Sequence, residues 1–351
     1  CENNDIDIVI SDMRMPEMDG AELLKEIMEK NPETIRIILS GFSEQELIMK
    51  TVNVAHQFLS KPITSEQLED CINKTLKLRE KLNDPKLLKL MTGGVSLPVL
   101  PDIYMELVSE IKKHEFSLHK ISQIIEKDVT MTATILKFIN SAFFGLPRKI
   151  SNIEQAVTFL GSNILKSLII YSQIFTISSS NKMSLSKIES FNKHSMIVAN
   201  LSKQILLSEI NDEKLAEKAF LSGLFHDIGR IFLSQIYEFD CPGNQMIENI
   251  ELEREYLGTN HCEAGAYALS LWNFEDTMLE AVIYHHTPSK LPGKKDFSIL
   301  SAVHIAESLF NQNINLEGND LDLLYLSDIR KFSSIEKYHN LFSELIVNYQ
   351  I

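Results

Sequence analysis

GLFHDIGR, residues 223–230, sets a histidine beside an aspartate in an otherwise apolar stretch. Ahead of His226 stand Ala219, Ser222 and Gly223, small residues that let another helix approach closely. Neighbours on a helix point about 100° apart, so His226 and Asp227 can reach one point only at the edge between their directions. Working outward, four more helical segments carry similar groups. His194 continues the stripe Ile197, Val198, Leu201 and Ile205. His261 shares a face with Ala264, Gly265 and Ala268. His285 and His286 extend the face of Met278 and Val282, just before Pro288 stops the helix. Glu307 lines up with Leu300, Val303 and Phe310. Helical periodicity therefore aims imidazoles and carboxylates inward from five helices. Buried polar groups need partners, and these can find them in one another or in a metal ion. A mixed His/carboxylate set suits Fe, Mn, Zn or Ni rather than Ca or Mg.

The rest of the composition sets bounds. At 351 residues the chain is long enough for two or three domains, each with its own core. Its 44% hydrophobic and 23% charged residues are ordinary for a globular protein. A formal net charge of -14 argues against sequence-independent binding to nucleic acid or an anionic membrane. No apolar run approaches the ~20 residues of a membrane span, and no signal peptide is evident. The four cysteines, Cys1, Cys71, Cys241 and Cys262, are widely spaced and read as reduced thiols of a cytoplasmic protein.

Residues 1–84 alternate strand and helix patterns. Ile6 to Ile10 is a buried-strand run ending at Ser11-Asp12, and an amphipathic helix follows with Leu23, Leu24, Ile27 and Met28 on one face. A second apolar run, Ile35 to Leu39, ends at Ser40-Gly41, and a third leads to Lys61-Pro62. Such alternation implies a parallel sheet, with Asp12, Ser40 and Lys61 at the strand ends where ligands bind. SDMRMPEMDG at 11–20, LSG at 39–41 and FLSKP at 58–62 resemble, in type, order and spacing, the receiver domain of two-component response regulators. That resemblance implies that Asp12 accepts a phosphoryl group from a sensor histidine kinase. It makes Ser40 and Lys61 the phosphoryl-binding groups and Phe58 an aromatic switch. The plainer alternative is Asp12 as a strand-end cap and Lys61 as a solvated charge. Receiver domains open with further strands and an acidic pair that binds Mg²⁺. These do not appear here, so the sequence is expected to be part of a longer chain, and Mg²⁺ is expected at the receiver only with those residues supplied.

Residues 85–95 read as a linker with a break at Asp84-Pro85, and from Asp102 onward the pattern is almost wholly helical. Helices are expected over 151–160 and 163–175, then a polar loop over 177–183. LPVLPDIYMEL (97–107), IIEKDVTMTATILKFINSAFFG (124–145) and ISNIEQAVTFLG (150–161) resemble the HDOD family, helical signalling domains related to HD-type phosphohydrolases. Val129 stands where proline is common. The resemblance implies an all-α HDOD domain over 96–310, with an HD-like lobe behind an α/β doubly wound receiver that lacks its first strands. It also makes His194, His226, Asp227 and Glu307 a metal-ligand set. His261, His285 and His286 match the second-metal ligands of the HD-GYP phosphodiesterases, with Asp227 bridging. The chain departs from that enzyme pattern in three places. Glu307 stands for the usual aspartate, Arg230 for lysine, and TPSKLPGKKDF (287–297) for the HHExxDGxGYP element. Cyclic di-GMP is therefore not singled out as a substrate.

The resulting expectation is a cytoplasmic response regulator whose HDOD output acts through a downstream protein partner and binds metal. The alternative is a receiver-gated, metal-dependent phosphohydrolase acting on a nucleotide or cyclic dinucleotide. A third is a ligand sensor without turnover. His304, one turn before Glu307, reads as a plain core or surface histidine, and Cys262 as a packing thiol. Residues 311–351 form a helical extension with two open roles, completing the lobe or making a homodimer contact.

Overall fold

The computed structural model describes residues 6–31, 34–40, 55, 57–66, 68–69, 71–73, 76, 106–107, 110, 117–127, 131–132, 135–136, 139, 150, 152–179, 185–236, 250–271, 274–293, 296–313 and 321–349. The linker expected over 85–95 lies outside them. The chain forms two compact units, Cys1–Ile125 with Arg230–Phe274 and Glu126–Gly229 with Glu275–Ile351.

In the first unit, strands β1 (Ile8–Asp12), β2 (Ile35–Ser40) and β3 (Gln57–Ser60) form a parallel sheet in the order β1-β2-β3. Parallel neighbours need a crossover, and α1 (Gly20–Lys30) supplies the first. Asp19 caps it: its carboxylate accepts from the Glu22 amide at 2.9 Å, and Glu22 accepts back from the Asp19 amide at 3.3 Å. Leu24 and Ile27 then pack with Met13, Ile38 and Ala55. The register sets Asp12 opposite Leu39, and Leu39 opposite Leu59, so Asp12, Ser40 and Ser60 end at one edge. Helices α2 (Leu118–Glu126), α6 (Ile228–Ile236), α7 (Ile250–Leu257) and α8 (His261–Leu271) fall mainly in this unit, the unit boundaries cutting through α2 and α6.

The second unit is helical: α3 (Ile153–Ser179), α4 (Leu185–Ile210), α5 (Glu213–Phe225), α9 (Asp276–Tyr284), α10 (Ile299–Asn313), α11 (Leu323–Asp328) and α12 (Ile335–Tyr349). The two helices expected over 151–175 appear as α3, broken at Gly161, whose φ of 73° and ψ of 166° suit a residue without a Cβ. The helix runs to Ser179, past the expected start of the loop at 177. Of the roles open to the C-terminal extension, α12 fills the first. It packs on α4, and Tyr338, Phe342 and Leu345 join the core formed by Ile197, Leu201, Val303 and Ala306. Glu209, near the end of α4, accepts hydrogen bonds from Lys331 and Lys337. Burial works to raise the Glu209 pKa, but the two ammonium groups bring it below the ordinary carboxylate value.

Candidate metal centre and receiver edge

The site is built on the α4–α5 hairpin. Asn211 takes a positive φ of 51°, and Asp212 caps α5 by accepting from the Leu215 amide at 3.1 Å, so the chain reverses within two residues. The helices then lie close because Gly223 has no side chain. A Cβ there would sit 2.8 Å from Cα of Ala199. Running back along α4 and forward along α5 brings His194 and His226 to the same level, their Nε2 atoms 3.0 Å apart. Helix α10 crosses both and adds Glu307. Its Oε2 lies 3.1 Å from each Nε2. Asp227, two residues past the end of α5, places Oδ2 at 3.5 Å from His194 Nε2 and 3.6 Å from His226 Nε2. Ligand atoms of His194, His226, Asp227 and Glu307 all lie within 4.8 Å of one another.

Hydrogen bonding around the cluster shows what the centre can hold. His226 Nδ1 lies 2.7 Å from the Gly223 carbonyl oxygen, which can only accept, so Nδ1 carries the proton. In the neutral ring Nε2 then presents a lone pair to the Glu307 and Asp227 oxygens. Glu307 Oε2 is buried and has no partner in hydrogen-bond geometry despite the two nearby nitrogens. Lone pairs of His226, Asp227 and Glu307 converging on one point fit a cation better than they fit one another. Without one, His194 is left to hold the positive charge. Burial works to lower its pKa, but the Glu307 and Asp227 carboxylates raise it to about 10. For Glu307 burial pushes upward, yet the charged His194 ring beside it holds it well below the usual carboxylate range. Three of the four groups are buried, while the His194 side chain keeps 15% exposure and gives the cluster one side toward the outside. Phe310 stands edge-on to the His194 ring, 4.6 Å between centroids.

His285 belongs to the same unit. Its Nδ1 donates to the Val282 carbonyl at 2.8 Å, and its Nε2 points toward Asp227 Oδ1 at 3.8 Å. The His286 ring lies 4.1 Å from that of His285. His304 has a structural role: Nδ1 donates to the His285 carbonyl at 2.6 Å, and Nε2 accepts from the Asp322 amide at 2.8 Å. His261 lies in the first unit, where the buried Glu253 Oε2 accepts from both its Nδ1 (2.6 Å) and its amide (2.8 Å). Cys262 is buried, with Sγ 3.4 Å from His261 Nε2. Sequence reasoning missed Asn311, whose Nδ2 donates to Glu307 Oε1 at 3.0 Å. Its signal was present, one helical turn beyond Glu307. Glu253 gave none, because a turn through Gly258, at φ 76°, separates it from His261.

At the sheet edge of the first unit, Lys61 Nζ donates to Asp12 Oδ2, and this bond, first among its causes, lowers the Asp12 pKa. Ser40 ends the adjacent strand. Phe58 pairs with Ile38 in the backbone register, and its part as a switch lies outside what is described.

Comparison with known proteins covers both halves. Residues 97–288 match the HDOD domain, and residues 1–73 match the response regulator receiver domain. The hydrogenase transcriptional regulatory protein HoxA of Cupriavidus necator is 34% identical over 97 residues, 27% of this chain and 20% of that protein. The chemotaxis protein CheY of Bacillus subtilis is 35% identical over 71 residues, 20% of this chain and 59% of CheY. The matched stretches thus span less than two thirds of either relative. A solved structure of an inferred metal-dependent phosphohydrolase from Shewanella amazonensis SB2B shares the fold at a TM-score of 0.55 and 22% identity. That likeness covers 79% of this chain and 99% of the other. Among the described residues, no helix is long and apolar enough to cross a membrane.

Proposed function

The chain belongs to the HDOD family and carries a response regulator receiver domain ahead of its HDOD domain, and from that premise we propose that it works as a cytoplasmic two-component response regulator. A sensor histidine kinase phosphorylates Asp12, and the helical domain passes the signal to a downstream protein by contact. The supporting observation is the Lys61 ammonium bonded to the Asp12 carboxylate at the sheet edge, with Ser40 ending the neighbouring strand. A phosphoryl group on Asp12 brings extra negative charge and strong acceptor oxygens, and a lysine at that edge, beside a strand that ends in a serine, is suited to receive them. Acetyl phosphate labelling of the full chain tests this. Wild type is expected to take up label at one site, and Asp12→Asn to take up none. Equal labelling of the variant would remove Asp12 as acceptor.

In the same reading His194, His226, Asp227 and Glu307 hold a transition metal ion, Fe, Mn, Zn or Ni by the softness of the donor set. Such an ion supplies Lewis-acid chemistry toward a phosphoryl group. The side chains fix the tautomer of His226, bury the carboxylates and leave the His194 side open. That open side favours a second reading, a receiver-gated phosphohydrolase acting on a nucleotide or cyclic dinucleotide. Turnover of a phosphodiester panel by the metal-loaded chain separates the two readings.

A further inference from the structure

Glu307 has two carboxylate oxygens, and its two neighbourhoods differ. Oε2 faces the Nε2 atoms of His194 and His226 at 3.1 Å each. Oε1 accepts from Nδ2 of Asn311 at 3.0 Å, one turn further along α10, with both residues buried. We propose that Asn311 is a positioning residue for the metal centre, one that ties up Oε1 and commits Oε2 to the ion. This rests on the metal-binding reading above.

The physical need comes from the length of the side chain. A glutamate has one more rotatable bond than an aspartate, and rotation of its terminal carboxylate is broad and roughly two-fold. Left free, the group would exchange its oxygens at the centre, and ordering it would cost rotamer entropy on each binding event. An amide donor at i+4 removes that freedom beforehand. Asn311 also satisfies a buried acceptor, a role any core asparagine could play. The two roles part on metal affinity, because lost satisfaction lowers stability and lost positioning weakens the ion's grip on a chain that is still folded.

The test is a competition titration of the full chain with Co²⁺, read by affinity and by the d–d absorption of the bound ion, at a temperature where every variant is folded. Asn311→Ala is expected to bind about 10–100-fold more weakly, the usual cost of losing a group that orients a ligand, with a changed spectrum. Asn311→Ser, too short to reach Oε1 yet polar enough for the site, is expected to show the same loss if the alanine variant fails to fold. In a Glu307→Asp background the carboxylate no longer reaches Asn311, so Asn311→Ala is expected to add nothing, a coupling that a double-mutant cycle measures. Wild-type affinity and spectrum in Asn311→Ser would overturn the positioning role and leave the metal centre standing. Failure of the wild-type chain itself to bind Co²⁺ would overturn both.

Discussion

Replacing His226 with alanine is expected to weaken metal binding by at least about 100-fold, more than the loss of any orienting neighbour. His226 is fully buried, its Nδ1 is committed to the Gly223 carbonyl, and its Nε2 stands at the centre of the cluster. Its place is fixed by the close approach of α4 and α5 at Gly223. The effect on stability divides by condition. With the ion at 100 times its dissociation constant, wild type gains about 2.7 kcal/mol, and the variant is expected to gain almost none. Without the ion, the variant loses the bond to Gly223, worth about 1 kcal/mol. It also removes a lone pair that faced carboxylate oxygens, which offsets part of that cost. The difference between wild type and variant should therefore lie mainly in the metal-dependent part of thermal unfolding. A variant that is equally destabilised with and without metal would mark the cluster as a hydrogen-bonded core and nothing more.

Gly20→Ala is the second large effect, and competing magnitudes decide its sign. Gly20 begins α1, where alanine is favoured over glycine by about 1 kcal/mol on propensity alone. A Cβ at this position, however, would lie 2.3 Å from the Asp12 carbonyl oxygen and 2.9 Å from Cδ1 of Ile38. The first contact is with backbone, which cannot rotate away. Overpacking costs about 1–3 kcal/mol and occasionally more, so the clash wins and the variant is expected to lose about 2 kcal/mol on denaturant unfolding. Relief requires α1 to move off the end of β1, the segment that carries Asp12. Acetyl phosphate labelling should therefore fall along with stability. A variant more stable than wild type would show that the close approach of α1 and β1 is not as described.

What the sequence made legible followed from periodicity. The stripe through His194, Ile197, Val198, Leu201 and Ile205 placed that histidine on the inner face of α4, and the stripe through Leu300, Val303 and Glu307 did the same for α10. Both helices are long and buried, so tertiary packing had no reason to override the pattern. The parallel sheet and the shared edge of Asp12 and Ser40 were likewise readable, because short apolar runs ending in polar residues leave little choice of register. Other features had no one-dimensional signature. The tautomer of His226 is set by a backbone carbonyl, and the partner of His261 is a glutamate reached across a turn. His304 read as a plain core or surface histidine, and only its bonds to the His285 carbonyl and the Asp322 amide show that it ties α9 to the start of α11. The α12 extension could be seen to be helical, but which surface covered it depended on the three-dimensional position of α4.

The central claim is that lone pairs from α4, α5, α10 and Asp227 converge because a cation belongs among them. Elemental analysis of the full-length chain, purified without chelator and desalted, tests this most directly, with His226→Ala prepared in parallel. The account predicts about one Fe, Mn, Zn or Ni ion per wild-type chain, as expected for a His/carboxylate site, and a vacant variant. Wild-type chain free of these metals, with an unfolding temperature indifferent to added Mn²⁺, Zn²⁺, Ni²⁺ or Fe²⁺, would contradict it.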